Sequence, residues 1–512
     1  MCGMAESAGV DEIKSQHWTT LVLILIFATG LRILGIGWPS FSGDELGSLE
    51  VAAGRGPVHL TLPRGVIFEP PPHSTDLRGA ASIWDVPSGM WADVHPPLYF
   101  LCLRLWEDCF GTGDSACRGL SALCGVLSVL LIFDVGRWLA GTATGLWAAA
   151  IMAVAQPQII YSQDARPYAL DVLFLLAAAD ALLRIVRKGQ SLRREIALGV
   201  AVSASCLTHY FALPDVAAMG LFAVVRLRGR ARRRVILVLA IAAAGCLALW
   251  GRQGWAQRAN FTDPWMYWFY GQEPHHIRAT IFRLAALPMR FLLEPQRDSL
   301  WCGLAAVLYA LPFLRCRKNR DLLLPGFWLA SSAILLGALD FSRDTVQLDS
   351  IKYSLMAAPA VYLILPTLTA NAKTVWIAPL AAVLACVLAF PQTYQNPQTD
   401  FRRAAIDVAK DVRPDQTLVI TGGGWGPWFT GLLYLAVEHY SHPMPASVAL
   451  LNVPPQPAAL DADLRRQGNH CWLLMSWTSQ TPGQFMPGWK AKLVAGEYGS
   501  FKLYLMTAGV RK

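Results

Sequence analysis

Three short polar segments interrupt an otherwise apolar chain: Ser42-Gly43-Asp44-Glu45, Val94-His95-Pro96-Pro97-Leu98-Tyr99 and Tyr161-Ser162-Gln163-Asp164-Ala165-Arg166-Pro167-Tyr168. Each lies at the end of an apolar, helix-forming stretch. Charged groups beside a bilayer core are costly, so they call first for a functional explanation. Adjacent carboxylates such as Asp44 and Glu45 can supply a general base, one biasing the protonation of the other. The structural alternative is a helix N-cap, with Ser42 or Asp44 capping a short helix through Ala53. Nothing in the residues decides between the two.

His95 opens the amphipathic stretch Leu98–Trp106 behind two prolines, which enforce an extended approach and then a helix start. A histidine held there can bind a phosphate or a hydroxyl; the alternative is a solvent-exposed histidine at an interface. Arg166 suits a phosphate and Asp164 a hydroxyl, unless the two simply pair with each other. Tyr168 and His209 flank similar helix ends and are candidates for positioning a substrate. Lys352 and Tyr353 begin a later helix; there the lysine can hold a phosphate as a point charge or snorkel to lipid headgroups.

Composition defines the elements that must position these groups. Of 512 residues, 54% are hydrophobic and 15% charged, against about 25% charged in soluble domains. The chain reads as a polytopic α-helical membrane protein. Apolar stretches recur near 18–37, 118–138, 143–160, 169–186, 195–213, 214–226, 235–251, 299–314, 322–340, 353–369 and 374–391. That is about eleven helices, the first long enough to be an anchor rather than a cleaved signal. The net charge of +9 resides largely in short loops, which argues against nucleic acid. Positive clusters at 184–194, 226–234 and 315–320, with Arg137 and Lys373, fall at every second connection, as cytoplasmic loops do.

The opposite loops, 38–117, 161–168, about 252–298 and 341–352, are then external, and all three polar segments share that face. The first runs acidic as far as Asp93. The third is rich in arginine; Arg283, Arg290 and Arg297 recur at heptad spacing, which suits either an interfacial helix or a solvated face. Residues 392–512 carry no spanning stretch. An amphipathic helix at Asp400–Lys410, strands at Thr417–Thr421 and Cys471–Ser476 and a hairpin around Gly499 predict a small extracytoplasmic α/β domain. The chain thus divides into a transmembrane domain, 1–391, and the tail domain, 392–512. Gly422-Gly423-Gly424 lacks the Lys-Ser/Thr of a phosphate loop and reads as a turn.

The eleven cysteines are scattered in apolar segments and read as small core residues. No zinc-finger or metalloprotease spacing occurs, no cofactor is predicted, and a divalent cation has no support in the sequence. Asn260-Phe261-Thr262 matches a glycosylation acceptor triplet and is assigned no role.

Asp44-Glu45 after the first helix, His95-Pro96-Pro97-Leu98-Tyr99 and Ser162-Gln163-Asp164-Ala165-Arg166-Pro167-Tyr168-Ala169-Leu170 together resemble the signature of GT-C membrane glycosyltransferases. The resemblance is to the protein-mannosyltransferase-like branch, over roughly residues 18–391. It implies a large first external loop with juxtamembrane helices, a polyprenyl-phosphate-linked sugar donor and an extracytoplasmic active site in the plasma membrane. The acceptor would be a lipid, glycan or protein. On that reading Asp44 is the base, Glu45 positions it or the acceptor, and His95, Arg166 and Lys352 serve the donor phosphate. Asp164, Tyr168, His209 and Tyr353 position substrate. The family often has an arginine where this chain has Lys352, which keeps the charge but loses the bidentate fork.

Two other classes compete. A transporter or flippase of lipid-linked sugars would share the helices, but it would place polar groups near the midplane in broken helices. A noncatalytic assembly protein would leave the polar segments without a role. The charge alternation yields a direct test: reporter fusions at Gly189 and Gly229 should report cytoplasm, and one at Gln398 the opposite side. A cytoplasmic signal at Gln398 would overturn the assignment of the tail.

Overall fold

The computed structural model describes residues 13–259, 277–293, 307–343, 345–368, 376–394, 400–423, 426–452, 454–476, 480–496 and 500–509. Asn260-Phe261-Thr262, Arg297, Lys373, Gly424 and Gly499 lie outside them. Two compact units result: Met1–Ile36 with Arg118–Asn396, and Gly37–Cys117 with Pro397–Lys512.

The first unit is helical. Among the described residues four helices are long and apolar enough to cross a membrane by length and composition: Ser15–Ile33, Asp114–Ala140, Gly229–Gln257 and Arg320–Arg343. Other apolar stretches form further helices, including Thr142–Val154, Tyr168–Lys188, Leu192–Cys206, Leu213–Arg226 and Ile377–Leu388. The stretch expected at 143–160 breaks at Ala155, because Pro157 has no N–H to offer the carbonyl of Ala153 four residues back. Gln156 N–H turns away to Leu292 O, at 3.1 Å. Two carbonyls are thereby released in the core.

Arg32, fully buried near the end of the first helix, meets both. Its Nη1 donates to Ala153 O at 3.1 Å and Nη2 to Met152 O at 3.1 Å, while Nε donates to Ser162 Oγ at 3.2 Å. Gln163 returns the favour, its amide donating to the carbonyls of Leu31, Arg32 and Leu34 at the end of the first helix. A Cβ at Gly125 would stand 2.8 Å from Arg32 Nε and 2.2 Å from Ser162 Oγ, so that position accepts only glycine without a shift.

The positive clusters converge at one end of this unit. Buried Asp321 pairs with Arg187 at 2.8 Å and Arg226 at 2.6 Å, and Asn319 Nδ2 donates to Leu139 O at 2.8 Å. Arg137 and Lys188 stand over the Trp138 ring. The 21-residue helix Tyr168–Lys188 separates this end from Tyr168 by about 30 Å.

The second unit is built on a six-stranded sheet: β1 (Ile67–Phe68), β2 (Thr417–Thr421), β3 (Ser447–Leu451), β4 (His470–Ser476), β5 (Trp489–Ala495) and β6 (Phe501–Ala508). Their order is β1-β3-β2-β4-β6-β5. β2 runs parallel to β3 and β4; β1, β5 and β6 join antiparallel. β2 is buried throughout, which is why it reads as a continuous apolar run. Residues 37–117 belong to this unit. Asp114 pairs with Arg402 at 2.6 Å and accepts from Tyr440 Oη at 2.6 Å, and Tyr440 Oη accepts Phe41 N–H at 2.7 Å. Gly423, at φ 61°, turns the chain out of β2, and Gly422 N–H donates to Thr430 Oγ1 at 2.8 Å.

Replacing Arg32 by methionine keeps the apolar stem but strands the Met152 and Ala153 carbonyls, at about 1–3 kcal/mol each. Thermal unfolding in detergent should shift clearly downward, with Arg32→Lys recovering only part, since an ammonium cannot span the same acceptors. An unchanged transition for Arg32→Met would refute this role.

Candidate functional site

The candidate residues belong to both units. In the second unit Ser42 is the N-cap of helix Gly43–Ala52 and Glu45 completes the capping box. Ser42 Oγ accepts Glu45 N–H at 3.2 Å, and Glu45 Oε2 accepts Ser42 N–H at 2.8 Å. The structural alternative for this segment is therefore realised, by Ser42 rather than Asp44. Asp44 stays half-buried in the first turn, where the helix dipole favours a negative charge. The same helix carries Glu50, fully buried, whose carboxylate holds His59 through N–H at 2.8 Å and Nδ1 at 2.5 Å. Sequence reading passed over that pair, since neither residue stands in a motif.

His95 is not the exposed histidine of the alternative reading; it is 6% exposed. Its N–H donates to Asp93 Oδ1 at 2.7 Å, and its Nδ1 lies 2.9 Å from the same oxygen. The ring meets Phe100 edge-on at 6.2 Å. Pro97 adopts helical angles and helix Leu98–Phe110 follows, as the two prolines predict.

In the first unit one chain of rings gathers residues far apart in sequence. Centroid distances are 5.3 Å for Tyr161–Tyr168, 5.5 Å for Tyr168–His209, 5.4 Å for His209–Phe211 and 5.4 Å for Phe211–Tyr353. Lys352 Nζ stands 5.3 Å from the Tyr353 ring. His209 Nδ1 accepts Phe211 N–H at 3.1 Å, so in the neutral imidazole the proton rests on Nε2. Arg166, 7% exposed, closes the tight turn with its N–H on Asp164 O at 2.7 Å, and its carbonyl accepts from Ser121 Oγ at 3.4 Å. Asp164 is half-buried beside it.

Lys352 owes its position to groups that the sequence did not single out for this purpose. Asp340, fully buried, accepts from Thr345 Oγ1 at 2.6 Å, Gln347 N–H at 2.7 Å and Leu348 N–H at 2.9 Å. Arg283 pairs with Asp349 at 2.6 Å, and Arg290 donates to the carbonyls of Leu348 and Asp349. Two of the three heptad arginines thus bond to the turn before Lys352. Their spacing marked one face of a helix; what that face touches was not encoded locally.

Among the described residues no group of three His, Cys, Asp or Glu is arranged to hold a metal ion. The described cysteines are free thiols.

Residues 94–250 match the family model described as dolichyl-phosphate-mannose-protein mannosyltransferase. No curated protein matches the sequence. Among solved structures, ArnT from Cupriavidus metallidurans in the apo state superposes with a TM-score of 0.61 at 13% identity, covering 96% of this chain and 98% of that one. The same protein bound to undecaprenyl phosphate gives 0.58 at 13% identity over the same shares. The chain thus shares the fold of this ArnT, and over residues 94–250 its sequence resembles the dolichyl-phosphate-mannose-protein mannosyltransferase family.

Proposed function

We propose that the protein transfers a sugar from a polyprenyl-phosphate donor to an acceptor at the extracytoplasmic face of the plasma membrane, with inversion at the anomeric carbon. The observation that carries this reading is the run of rings from Tyr161 to Tyr353. It gathers the 161–168 segment, His209 and Lys352 at the end of the first unit away from the Asp321 cluster. The fold shared with a protein that binds undecaprenyl phosphate supports the donor class. On this reading the chain spans the membrane about eleven times, its basic loops are cytoplasmic and its tail domain is external.

Arg166 and Lys352 neutralise the leaving phosphate, which needs no general acid. His95 adds a hydrogen bond on the donor side. Asp164, Tyr168, His209 and Tyr353 orient the reacting groups. The acceptor hydroxyl gives its proton to the Asp44 carboxylate as its oxygen attacks the anomeric carbon. The bond from that carbon to the phosphate oxygen breaks, and the electron pair leaves with the phosphate. Glu45, tied to Ser42 N–H, fixes the turn that presents Asp44.

The transport reading is weaker. The buried carboxylates Asp171 and Asp215 lie in the first turns of their helices, not at midspan, where a transporter would hold its substrate. Ser205 Oγ donates to Asp171 at 2.5 Å and Ser332 Oγ to Asp215 at 2.6 Å.

Asp44→Asn keeps shape and much of the hydrogen bonding but cannot take a proton. Turnover in a reconstituted assay should fall by about 100- to 10,000-fold, with binding of a nonreactive donor analogue retained. Near-wild-type turnover would transfer the role to Glu45. Arg166→Ala and Lys352→Ala should instead weaken the donor analogue, and a folded double variant of unchanged affinity would remove both from the phosphate site.

A further inference from the structure

Two carboxyl groups of the first unit take no part in the proposed chemistry, yet both are 0% exposed. Asp171 lies in the first turn of helix Tyr168–Lys188 and Asp215 in the first turn of helix Leu213–Arg226. An ionisable group inside an apolar helical unit calls for a function and a partner. The partner shown for each is a serine hydroxyl rather than a cation. Ser205 Oγ donates to Asp171 Oδ1 at 2.5 Å, and Ser332 Oγ donates to Asp215 Oδ1 at 2.6 Å. The second oxygen of each carboxyl has no hydrogen-bond partner among the described residues.

These two bonds fasten the ends of one segment. Ser205 lies in the last turn of helix Leu192–Cys206, and its carbonyl accepts Thr208 N–H at 2.9 Å and His209 N–H at 3.1 Å. His209 then caps the single turn Tyr210–Ala212, which runs directly into the helix that carries Asp215. The imidazole therefore stands between the two fastenings. On the first side, Asp171 follows Tyr168 by one helical turn on the same face. Tyr168, Asp171, Ser205 and His209 close a circuit, whose last link is the 5.5 Å ring contact back to Tyr168. On the other side, Ser332 belongs to helix Leu323–Arg343, the helix whose Asp340 bonds the turn before Lys352. Tyr210 adds a fastening in the middle: its Oη donates to Gln257 Oε1 at 2.6 Å and accepts from Trp250 Nε1 at 2.9 Å.

We propose that Asp171 and Asp215 are positioning residues, hydrogen-bond acceptors that clamp the segment 205–215 at both ends and so hold the His209 ring between Tyr168 and Phe211. The clamp rests on these bonds. Its bearing on catalysis rests on the glycosyl-transfer reading, in which Tyr168 and His209 orient the reacting groups. What each carboxyl supplies is a lone pair for a serine hydroxyl, and an amide of the same shape keeps that lone pair. An ion- or proton-carrying pair, by contrast, needs the carboxyl itself.

The full-length protein in detergent, with carbon-13 at histidine Cε1, is the test material, and His209→Gln identifies the His209 NMR signal. In the wild type the ring currents of Tyr168 and Phe211 displace that signal. Asp171→Leu and Asp215→Leu should return it toward the position of an unpacked histidine and broaden it. Asp171→Asn and Asp215→Asn should leave it in place. Ser205→Ala and Ser332→Ala remove the donors with little loss of volume; they should move the signal as the leucine variants do, and they serve where a leucine variant does not fold. Binding of undecaprenyl phosphate would be measured separately on each protein.

A His209 signal unmoved by the leucine and alanine substitutions would overturn the clamp, and leave the transfer reading intact in a protein that binds undecaprenyl phosphate. A signal that moves as far in the asparagine variants as in the leucine ones would overturn the acceptor role. The expected response in a protein that does not bind undecaprenyl phosphate would uphold the clamp while the transfer reading falls.

Discussion

Pro157 cannot donate a backbone hydrogen bond, and in an apolar helical unit no solvent replaces it. The carbonyls of Met152 and Ala153 must find donors inside the protein. Arg32 supplies them, reaching from the first helix, and its Nε goes on to Ser162. The geometry of the 161–168 segment depends on this arrangement. A continuous helix through residue 160 would carry Asp164 and Arg166 elsewhere. The guanidinium is well suited to the task because its planar fork serves acceptors in several directions at once. Gln163 closes the arrangement from the other side by capping three carbonyls of the first helix.

The same rule governs two further buried carboxylates of the first unit, Asp340 and Asp321. Asp340 is fully enclosed, yet both its oxygens are engaged, by two backbone N–H groups and a threonine hydroxyl. Asp321 serves two arginines from separate connections. In each case a costly carboxylate is offset by bonds that fasten segments remote in sequence. Asp340 and the Arg283 and Arg290 side chains bond to the turn that precedes Lys352.

In the second unit, the Ser42-Gly43-Asp44-Glu45 segment starts a helix. The capping box uses Ser42 and Glu45 to fix the first turn, and it leaves Asp44 half-buried beside the orphan N–H groups of the helix. His95 is similarly committed locally, to Asp93.

Much was legible locally. Apolar length marked the helices, the alternation of arginine clusters grouped loops that share Asp321, and the strand patterns at Thr417–Thr421 and Cys471–Ser476 match β2 and β4. These signals arise within a few turns or strands of one another, where periodicity and composition suffice. The pairing of β1 with β3, the packing of residues 37–117 with the tail, the ring contacts from Tyr168 to Tyr353 and the partners of Arg32 were not legible. Each joins residues tens to hundreds of positions apart, and no local pattern encodes which distant carbonyl or ring a side chain will meet. The sequence by itself determined an apolar helical chain with three polar segments capable of chemistry. Only the tertiary structure decided which partners those side chains take, because a buried polar group takes whichever partner the packing brings within reach.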